Sequence, residues 1–373
     1  MSMTAHSQRG VALLTILLLV VSITVVAGAM LASQKIAIRR SGLLFDQDQL
    51  LQDIHVGQQL AITMIRADDK LNDTDSEQDI WAQPLPPYSL GTHSIGIEMR
   101  DEASRFNINN LYQNGAVNTA ALAVFQRLLT QLNVEPDIAV AVLDYQDPDG
   151  EVYEDGGNES VVYAQQSSAT GNSTLPNQPF LSIDQLHEVR GVTDEVLTTL
   201  RPYITAAPYY VPINVNTASP VLLAALMDGA TSEQMQGLVD MRSKQALESI
   251  DDLWQLPVLS TLDETQRRDL TPLLAVDSQA FMALITVTDT ASVDASSGQA
   301  RQRFATVLIS KTAINDAVAN GSNSNLNNSN SNNSNSNDGA SANNSNPSGT
   351  SDDKQAKDVQ VVTQRLWAFR PSF

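Results

Sequence analysis

Residues 11–33 form an uninterrupted apolar segment of 23 residues without a charged side chain. At a rise of about 1.5 Å per residue, a helix of this length crosses roughly 30 Å, which is the thickness of the hydrocarbon core of a bilayer. The segment therefore predicts a membrane-spanning helix near the N-terminus, and the rest of the chain must be organised behind it.

Only ten residues precede the apolar segment, and they end in Arg9-Gly10. A secretory signal peptide would be followed by small residues at a cleavage site, whereas Lys35, Arg39 and Arg40 follow here. A cut in front of the segment, at Gly10, would leave the membrane helix on the mature protein. An uncleaved signal anchor is the alternative.

A short polar leader that ends in Gly and precedes an apolar helix resembles the leader of type IV prepilins and pseudopilins. The resemblance implies that prepilin peptidase cuts between Gly10 and Val11 and methylates the new amine. It also implies that the helix serves first as a membrane anchor and then as the core of a filament. Most members of that family carry Glu at the fifth mature position, which is Thr15 here.

The chain beyond residue 33 continues as an amphipathic helix. Its apolar residues recur at spacings of seven, four, seven and four, and they are Leu43, Leu50, Ile54, Ala61 and Ile65. Joined to residues 11–33, this segment predicts one long helix whose second half lies against a globular head. Gly42 and Gly57 lower the helix propensity and allow bends.

A strand is predicted at residues 93–99, where Ile95, Ile97 and Met99 alternate and point inward. Residues 101–111 then read DEASRFNINNL. They resemble the D-E-x-G-R-x-N-x-N-x-L signature of the general secretion pathway protein K family, the large minor pseudopilins of type II secretion, with Ser104 where Gly is usual. That family also lacks Glu at the fifth mature position. The resemblance implies an α+β fold with a pilin-like long N-terminal helix, an antiparallel β-sheet head and a large all-α insertion of SAM-like or helix-hairpin-helix-like character.

Residues 113–275 are predicted to form this inserted domain, made almost entirely of helices. Local signals mark the helix starts, namely Thr119, Pro136, Ser219-Pro220 and two capping boxes, Ser182 with Gln185 and Thr231 with Gln234. Gly191 and Gly229 are predicted to end the helices that precede them.

An acidic loop lies inside the predicted insertion. Its candidate ligands are Asp144, Asp147, Asp149, Glu151 and Glu159. Hard oxygen ligands crowded in a loop with Gly and Pro suit Ca²⁺, although the spacing is not that of an EF-hand. A solvated acidic loop accounts for the same residues. The resemblance favours Ca²⁺, because the protein K family can hold calcium in its inserted domain and shows a similar acidic stretch before a Gly-x-Glu segment, here residues 157–159.

Residues 181–203 and 213–226 also resemble helix-hairpin-helix units, and the second segment is similar to those of DNA-uptake receptors. A membrane-anchored protein that binds DNA is therefore the alternative function. Such a hairpin needs a Gly-rich turn that offers backbone N–H groups to phosphate, with basic residues around it. The candidate turn at residues 256–259 reads LPVL, and residues 213–274 hold nine acidic residues against four basic ones. The whole chain carries a net charge of −20, so we expect no binding of nucleic acid.

The C-terminal third returns to β-structure. Residues 281–289 and 302–310 predict paired strands, and residues 359–370 predict the last strand, with Trp367 and Phe369 as packing anchors. Between them, residues 320–350 are almost purely Asn, Ser and Gly, which predicts a disordered loop. The predicted order is the leader 1–10, the transmembrane and filament-core helix 11–33, the amphipathic helix and first part of the head 34–112, the inserted domain 113–275, the head strands 276–319, the disordered loop 320–350 and the last head strand 351–373.

Catalytic motifs are absent from the sequence. It has no cysteine, no G-x-S-x-G, no P-loop and no dinucleotide fingerprint, and its four histidines are scattered. We therefore predict a protein that is not an enzyme and that binds no cofactor other than Ca²⁺.

These features predict a single-pass protein of a Gram-negative inner membrane with its soluble part in the periplasm. The resemblance implies a minor pseudopilin at the tip of the type II secretion pseudopilus, which helps to start its assembly for the export of folded proteins across the outer membrane. The implied partners are prepilin peptidase, the inner-membrane assembly platform, membrane lipid, the major pseudopilin and the minor pseudopilins of the I, J and H types.

Overall fold

The computed structural model describes residues 8–153, 177–293, 300–312 and 357–373. The predicted disordered loop at residues 320–350 lies outside these ranges, as do most of the predicted leader and Glu159. In the described residues the fold is α+β, with a long N-terminal helix, an antiparallel sheet and a mainly helical insertion. The predicted fold class is therefore confirmed.

One helix, α1 (Gln8–Asp69), runs for 62 residues and joins the two predicted helical segments. Its apolar stripe is buried where the helix meets the rest of the protein, at Leu50, Ile54, Ala61 and Ile65. The side chains in the first half of the helix are therefore exposed, whereas the apolar stripe of its second half packs against the head.

The sheet of the head has five strands in the described residues. They are β1 (Tyr88–Leu90), β2 (His93–Asp101), β3 (Ala280–Val293), β4 (Ala300–Thr312) and β5 (Asp358–Trp367). They lie in the sheet in chain order, and every neighbouring pair is antiparallel. The insertion leaves after β2 and returns at β3, and Asp101 pairs with Phe281 at that point.

The head core lies between α1 and one face of this sheet. Alternate residues of β3, namely Ala283, Ile285 and Val287, pack with Ile54 and Ile65 of α1. Strand periodicity places such residues on one face, so the sheet presents a continuous apolar surface to the helix. The prediction that Ile95 and Ile97 point inward is confirmed, and Met99 packs against the same core although it is only partly buried.

The insertion is a series of short helices around a separate core. They are α2 (Thr119–Gln131), α3 (Ile138–Asp144), α4 (Asp194–Leu200), α5 (Pro220–Ala224), α6 (Ser232–Arg242), α7 (Ile250–Trp254) and α8 (Glu264–Leu270). Two parallel two-residue ladders join this set, Phe106–Asn107 with Ile204–Thr205 and Ile213–Asn214 with Leu274–Ala275. Stacked rings, Phe106 on Phe125 and Tyr145 on Phe180, lie in the core.

The predicted capping boxes of Ser182 with Gln185 and of Thr231 with Gln234 are both formed. The first begins a 3₁₀ helix, Ile183–Glu188, rather than an α-helix. Two further boxes, which were not predicted from the sequence, pair Ser249 with Asp252 and Asp263 with Gln266. In a domain of short helices, these side chains supply partners that the first backbone N–H groups would otherwise lack.

Two details of the sequence-based interpretation are wrong. The helix that begins at Pro220 ends at Ala224, and Gly229 lies in the turn beyond it with a positive φ of 70°. Phe369 is 85% exposed and is not a packing anchor, because β5 ends at Trp367 and Phe369 lies beyond the last residue of the sheet. Trp367 is anchored as predicted, and its indole N–H donates to Thr306 Oγ1 at 2.9 Å.

Gly57 lies where α1 approaches the sheet closely. A Cβ atom at this position would lie 2.6 Å from Ile285 Cγ2 and 3.1 Å from Ile95 Cγ2. Gly57 therefore permits close packing of the helix on the sheet. Gly42, in the same helix, has nothing within 4 Å of its Cβ position.

We predict that Gly57→Ala lowers the stability of the head and that Gly42→Ala does not. Alanine favours a helix by about 1 kcal/mol over glycine at both positions. At position 57 an overpacking cost of about 1–3 kcal/mol opposes this gain, because the methyl group meets the stiff, buried side chain of Ile285. Thermal unfolding of the two full-length variants in detergent measures the difference, and equal melting temperatures would contradict the close approach.

Candidate functional site

The N-terminal half of α1 carries the predicted processing residues. Gly10 and Val11 lie within the first turns of the helix, and Thr15 lies one turn further on, on an exposed part of it. Large apolar side chains between Leu13 and Leu31 are 53–69% exposed. Among the described residues, α1 is the helix that is long and apolar enough to cross a membrane. An apolar surface of this size must be covered by lipid or by other helices.

The signature that follows β2 begins with Asp101, which is buried at the junction of the head and the insertion. Its carboxylate accepts hydrogen bonds from the Ala103 N–H at 2.7 Å, the Thr217 hydroxyl at 2.5 Å and the Ser278 hydroxyl at 2.6 Å. The side-chain amide of Asn214 donates to it at 3.3 Å. Burial raises the pKa of Asp101 to about 7 although the hydroxyl donors oppose the shift.

Glu102 is also buried at this junction, where its carboxylate binds a second set of partners. Arg100 donates to its Oε1 from Nε at 2.8 Å, and the Thr205 hydroxyl donates to Oε2 at 2.5 Å. Arg105 reaches the carbonyl of Arg201 at 3.3 Å, and burial lowers its pKa to about 10. Glu102 and Arg105 of the signature therefore bind elements of the insertion.

The asparagines of the signature bind backbone groups of the insertion. Asn109 exchanges two hydrogen bonds with the backbone of Phe180, both 2.9 Å long. Asn110 does the same with Val211, at 2.6 and 3.1 Å. An amide offers one donor and one acceptor side by side, which is what an extended backbone segment requires. Asparagine at these positions therefore fixes the path of the backbone at Phe180 and Val211.

Ser104 occupies the position where the resembled signature has Gly. Its hydroxyl donates to the Asp101 carbonyl at 2.7 Å, and its φ is not positive. The backbone therefore places no demand for glycine at this position, and serine adds one hydrogen bond to the turn.

The predicted calcium ligands that the structure describes lie at the end of α3 and in the loop after it. Asp144 and Asp147 are buried, whereas Asp149 and Glu151 are exposed. Asp144 Oδ1 accepts from the Tyr153 N–H at 3.1 Å, and Asp149 Oδ1 accepts from the Glu151 N–H at 2.9 Å.

Asp147 is the member of this loop with the clearest need for a positive partner. Its Oδ1 is buried and has no hydrogen-bond partner in the described part of the chain. Burial, with the charges of Asp149 and Asp144 added, raises the pKa of Asp147 to about 7. The donor set suits Ca²⁺, but the described carboxylates of this loop do not bring three ligand oxygens within 4.8 Å of one another.

A different group of acidic residues brings three ligand oxygens close together, and this group was not predicted from the sequence. Ligand oxygens of Asp68, Asp75 and Asp79 lie within 4.8 Å of one another at the C-terminal end of α1. The signal was present in the sequence, since residues 68–79 hold six acidic side chains and a single lysine. Asp75 also forms an ion pair with the buried Lys311, at 2.5 Å.

Two of the three described histidines pair with carboxylates, whereas His55 is exposed on α1. His93 Nδ1 contacts the carboxylate of Asp53, and its Nε2 lies 3.8 Å from Asp289. This arrangement ties α1 to β2 and β3. His187 lies 3.3 Å from the exposed Asp194 in the insertion. The absence of enzymatic activity stays a prediction.

Comparison with known proteins finds one family that matches most of the signature and the insertion. Two family models described as type II secretion system protein K match residues 104–209 and 213–277. Type II secretion system protein K of Pseudomonas aeruginosa is 28% identical over 258 residues, which cover 66% of this chain and 76% of that protein. The Klebsiella pneumoniae protein of the same name is 29% identical over 298 residues, covering 76% of this chain and 89% of that protein.

A solved structure has the same fold. It is a chain from the crystal structure of the GspK-GspI-GspJ complex of enterotoxigenic Escherichia coli, with a TM-score of 0.61 and 24% identity, covering 73% of this chain and 94% of that one. The matched family models begin inside the buried polar signature and run through the insertion that the signature holds in place. The chain is therefore similar to type II secretion system protein K over most of the signature and the insertion.

Proposed function

We propose that this protein is a minor pseudopilin that forms the tip of the periplasmic pseudopilus of a type II secretion system. The observation that carries the proposal is the division of α1 into a bare apolar half and a half packed on the sheet. A helix of this kind can rest in a bilayer and then pack against other such helices in a filament. The similarity to type II secretion system protein K supports the same role.

The insertion supports a position at the end of the filament. It is a folded domain with its own core, added between β2 and β3 of the head. A domain of this size would obstruct close stacking if every subunit along a shaft carried it, whereas a terminal subunit has a free side. We propose that export of folded proteins across the outer membrane begins with assembly from this tip.

Thr15 supports the same position. The resemblance to the pilin family implies that a Glu at this place neutralises the amino terminus of the subunit above. A subunit at the tip has no neighbour above it, and a carboxylate would remain unpaired in an apolar core. Thr15 brings no charge into this part of α1.

The proposed partners follow from the same role. The solved relative comes from a complex of GspK, GspI and GspJ. For this chain we propose minor pseudopilins of the I and J types, then the H type and the major pseudopilin, as filament neighbours. Prepilin peptidase, the assembly platform and lipid are proposed as its partners in the inner membrane, with the head and insertion in the periplasm.

We predict that the full-length protein forms a stable complex when it is co-expressed with the I-type and J-type pseudopilins of its own operon. Purification through a tag on this chain, followed by size-exclusion chromatography in detergent, measures the composition of the complex. An unrelated single-pass protein co-expressed in place of the partners serves as the control. A chain that remains alone and retards duplex DNA would contradict the proposal and favour DNA uptake instead.

We predict that the mature chain begins at Val11 with a methylated amine. Co-expression with prepilin peptidase should remove the first ten residues, and Gly10→Val should prevent this because the residue before the cut is no longer glycine. Intact-mass spectrometry measures both outcomes. Gly28→Ala is the matched control, because this glycine lies in the same apolar segment with nothing near its Cβ position. Loss of the leader from the Gly10→Val variant would show that the cut lies elsewhere.

We further propose that the loop containing Asp144, Asp147, Asp149, Glu151 and Glu159 binds Ca²⁺, which the resemblance to the protein K family implies. Millimolar Ca²⁺ should stabilise the chelator-treated protein by roughly 1–3 kcal/mol, since the ion binds only the folded loop. Asp147→Asn should remove most of this gain while leaving the calcium-free protein as stable as before, because its buried carboxyl resists ionisation.

Thermal unfolding with and without Ca²⁺ measures this effect. Asp137→Asn is the matched control, because this nearby carboxylate is exposed and makes no capping hydrogen bond to α3. An equal calcium response in the wild type and the Asp147→Asn variant would contradict binding at this loop.

A further inference from the structure

The C-terminal end of α1 leads into a strongly acidic turn. Asp68 belongs to the last turn of the helix, and Asp75 and Asp79 lie in the segment that follows. Oxygens of the three carboxylates lie within 4.8 Å of one another. Ca²⁺ binds oxygen at about 2.3–2.6 Å, so two ligands of one ion are separated by at most about 5 Å. The three carboxylates are therefore close enough to share one ion.

Two oxygens of this cluster are buried without a partner. Asp68 is 2% exposed and Asp75 is 1% exposed. Asp68 Oδ2 and Asp75 Oδ1 have no hydrogen-bond partner in the described part of the chain. An ionised oxygen that is removed from water without a partner is costly, so such atoms indicate a ligand that satisfies them.

Other oxygens of the cluster are held in place by the protein. The second oxygen of Asp75 accepts from Lys311 Nζ at 2.5 Å and from the Ser278 N–H at 2.7 Å. Asp79 accepts from the Ser76 N–H at 2.6 Å and from Asn72 Nδ2 at 3.2 Å. Partners of this kind orient carboxylates toward a bound ion. The open oxygen of Asp75 is thus fixed rather than free to turn to solvent.

The net negative charge around the cluster also favours a bound cation. Lys311 faces Asp75 and lies 4.0 Å from Asp69, while Lys357 lies between Asp69 and Asp277, at 3.5 and 2.9 Å. These lysines balance only part of the acidic side chains around them. The C-terminal end of a helix carries partial negative charge, which adds to the need for a positive ion beside Asp68.

We propose that Asp68, Asp75 and Asp79 bind one hard divalent cation of the calcium class, at a site separate from the loop after α3. The ion would be held by the unpartnered oxygens of Asp68 and Asp75 and by the Asp79 carboxylate, and water would complete its coordination. Side-chain oxygens alone form the set, which is the donor chemistry that Ca²⁺ prefers.

The position of the site suggests what the ion does. The Asp75 N–H donates to the Val276 carbonyl at 3.1 Å, and Asn214 Nδ2 donates to the Asp75 carbonyl at 2.9 Å. Gln78 Nε2 donates to the Ser243 carbonyl at 2.8 Å, in the insertion. The acidic turn thus lies between α1, the sheet and the insertion, and a bound ion would fasten the end of α1 to both.

The test counts calcium ions on the full-length protein in detergent. After chelator treatment, equilibrium dialysis against ⁴⁵Ca²⁺ gives the equivalents bound by the wild type and by Asp68→Asn, Asp79→Asn and Glu77→Gln variants. We expect Asp68→Asn and Asp79→Asn to bind one equivalent fewer than the wild type. Glu77→Gln should retain it, since Glu77 is an exposed carboxylate of the same turn outside the cluster. Because only the difference is read, calcium in the loop after α3 does not affect the result.

The unsubstituted protein provides a second measurement that does not depend on a variant folding. Tb³⁺ bound at the cluster should be sensitised by the buried Trp81, two residues after Asp79, and Ca²⁺ should displace it. Equal calcium stoichiometry in the wild type and the Asp68→Asn variant would overturn the proposal. The proposal would also be overturned if the wild type gave no sensitised Tb³⁺ emission, or gave an emission that added Ca²⁺ did not abolish. A gain in melting temperature in Asp68→Asn that is independent of Ca²⁺ would assign a bound proton, not a metal, to Asp68.

Discussion

The hydrogen bonds that the buried carboxylate of Asp101 accepts are the interactions on which the rest of the structure depends. The carboxylate lies at the last residue of β2, opposite the start of β3, where the chain leaves for the insertion and returns from it. Its oxygens gather donors from the turn after β2, from the insertion and from the segment before β3. Because one carboxylate collects all three, the exit and the return of the insertion are held at one point. Loss of the carboxylate would leave several buried donors unsatisfied at once.

Directional bonds therefore set how the insertion sits on the head, beside a small apolar cluster at the junction that consists of Ala103, Ala207, Val211, Ala280 and Leu308. Each body has its own apolar core among the described residues, one around Phe125 and Leu143 and one around Ile65 and Ile285. Apolar contacts alone tolerate sliding, whereas the bonds from the signature asparagines at positions 107, 109 and 110 to backbone groups accept a single register. A subunit that presents a fixed surface to other proteins benefits from such a junction.

The sequence predicted the elements well, because their signals are local. The apolar segment, the strand alternation and the two capping boxes each depend on residues within a few positions of one another. Gly57 was interpreted as a bend, and its role in close packing depends on Ile285, more than 200 residues away. The prediction that Phe369 is a packing anchor was wrong for the same reason. The local sequence resembles a strand, but Phe369 lies beyond the end of the sheet. The signature was recognised by resemblance, yet its function as a buried junction depends on residues such as Thr217 and Ser278 that no local pattern connects to it.

The two acidic regions also show that local sequence does not reveal which carboxylates the fold brings together. The loop after α3 has the density of carboxylates that suggests calcium, but its described ligands are spread between buried and exposed positions. The turn after α1 has a similar density, but no site is predicted there from the sequence. What separates them is the distance between carboxylates: oxygens of Asp68, Asp75 and Asp79 lie within 4.8 Å of one another, whereas the described carboxylates of the loop do not bring three oxygens that close together. Carboxylates that a fold buries side by side need a counter-charge or a bound proton, so the chemistry of this turn depends on tertiary structure and not only on its composition.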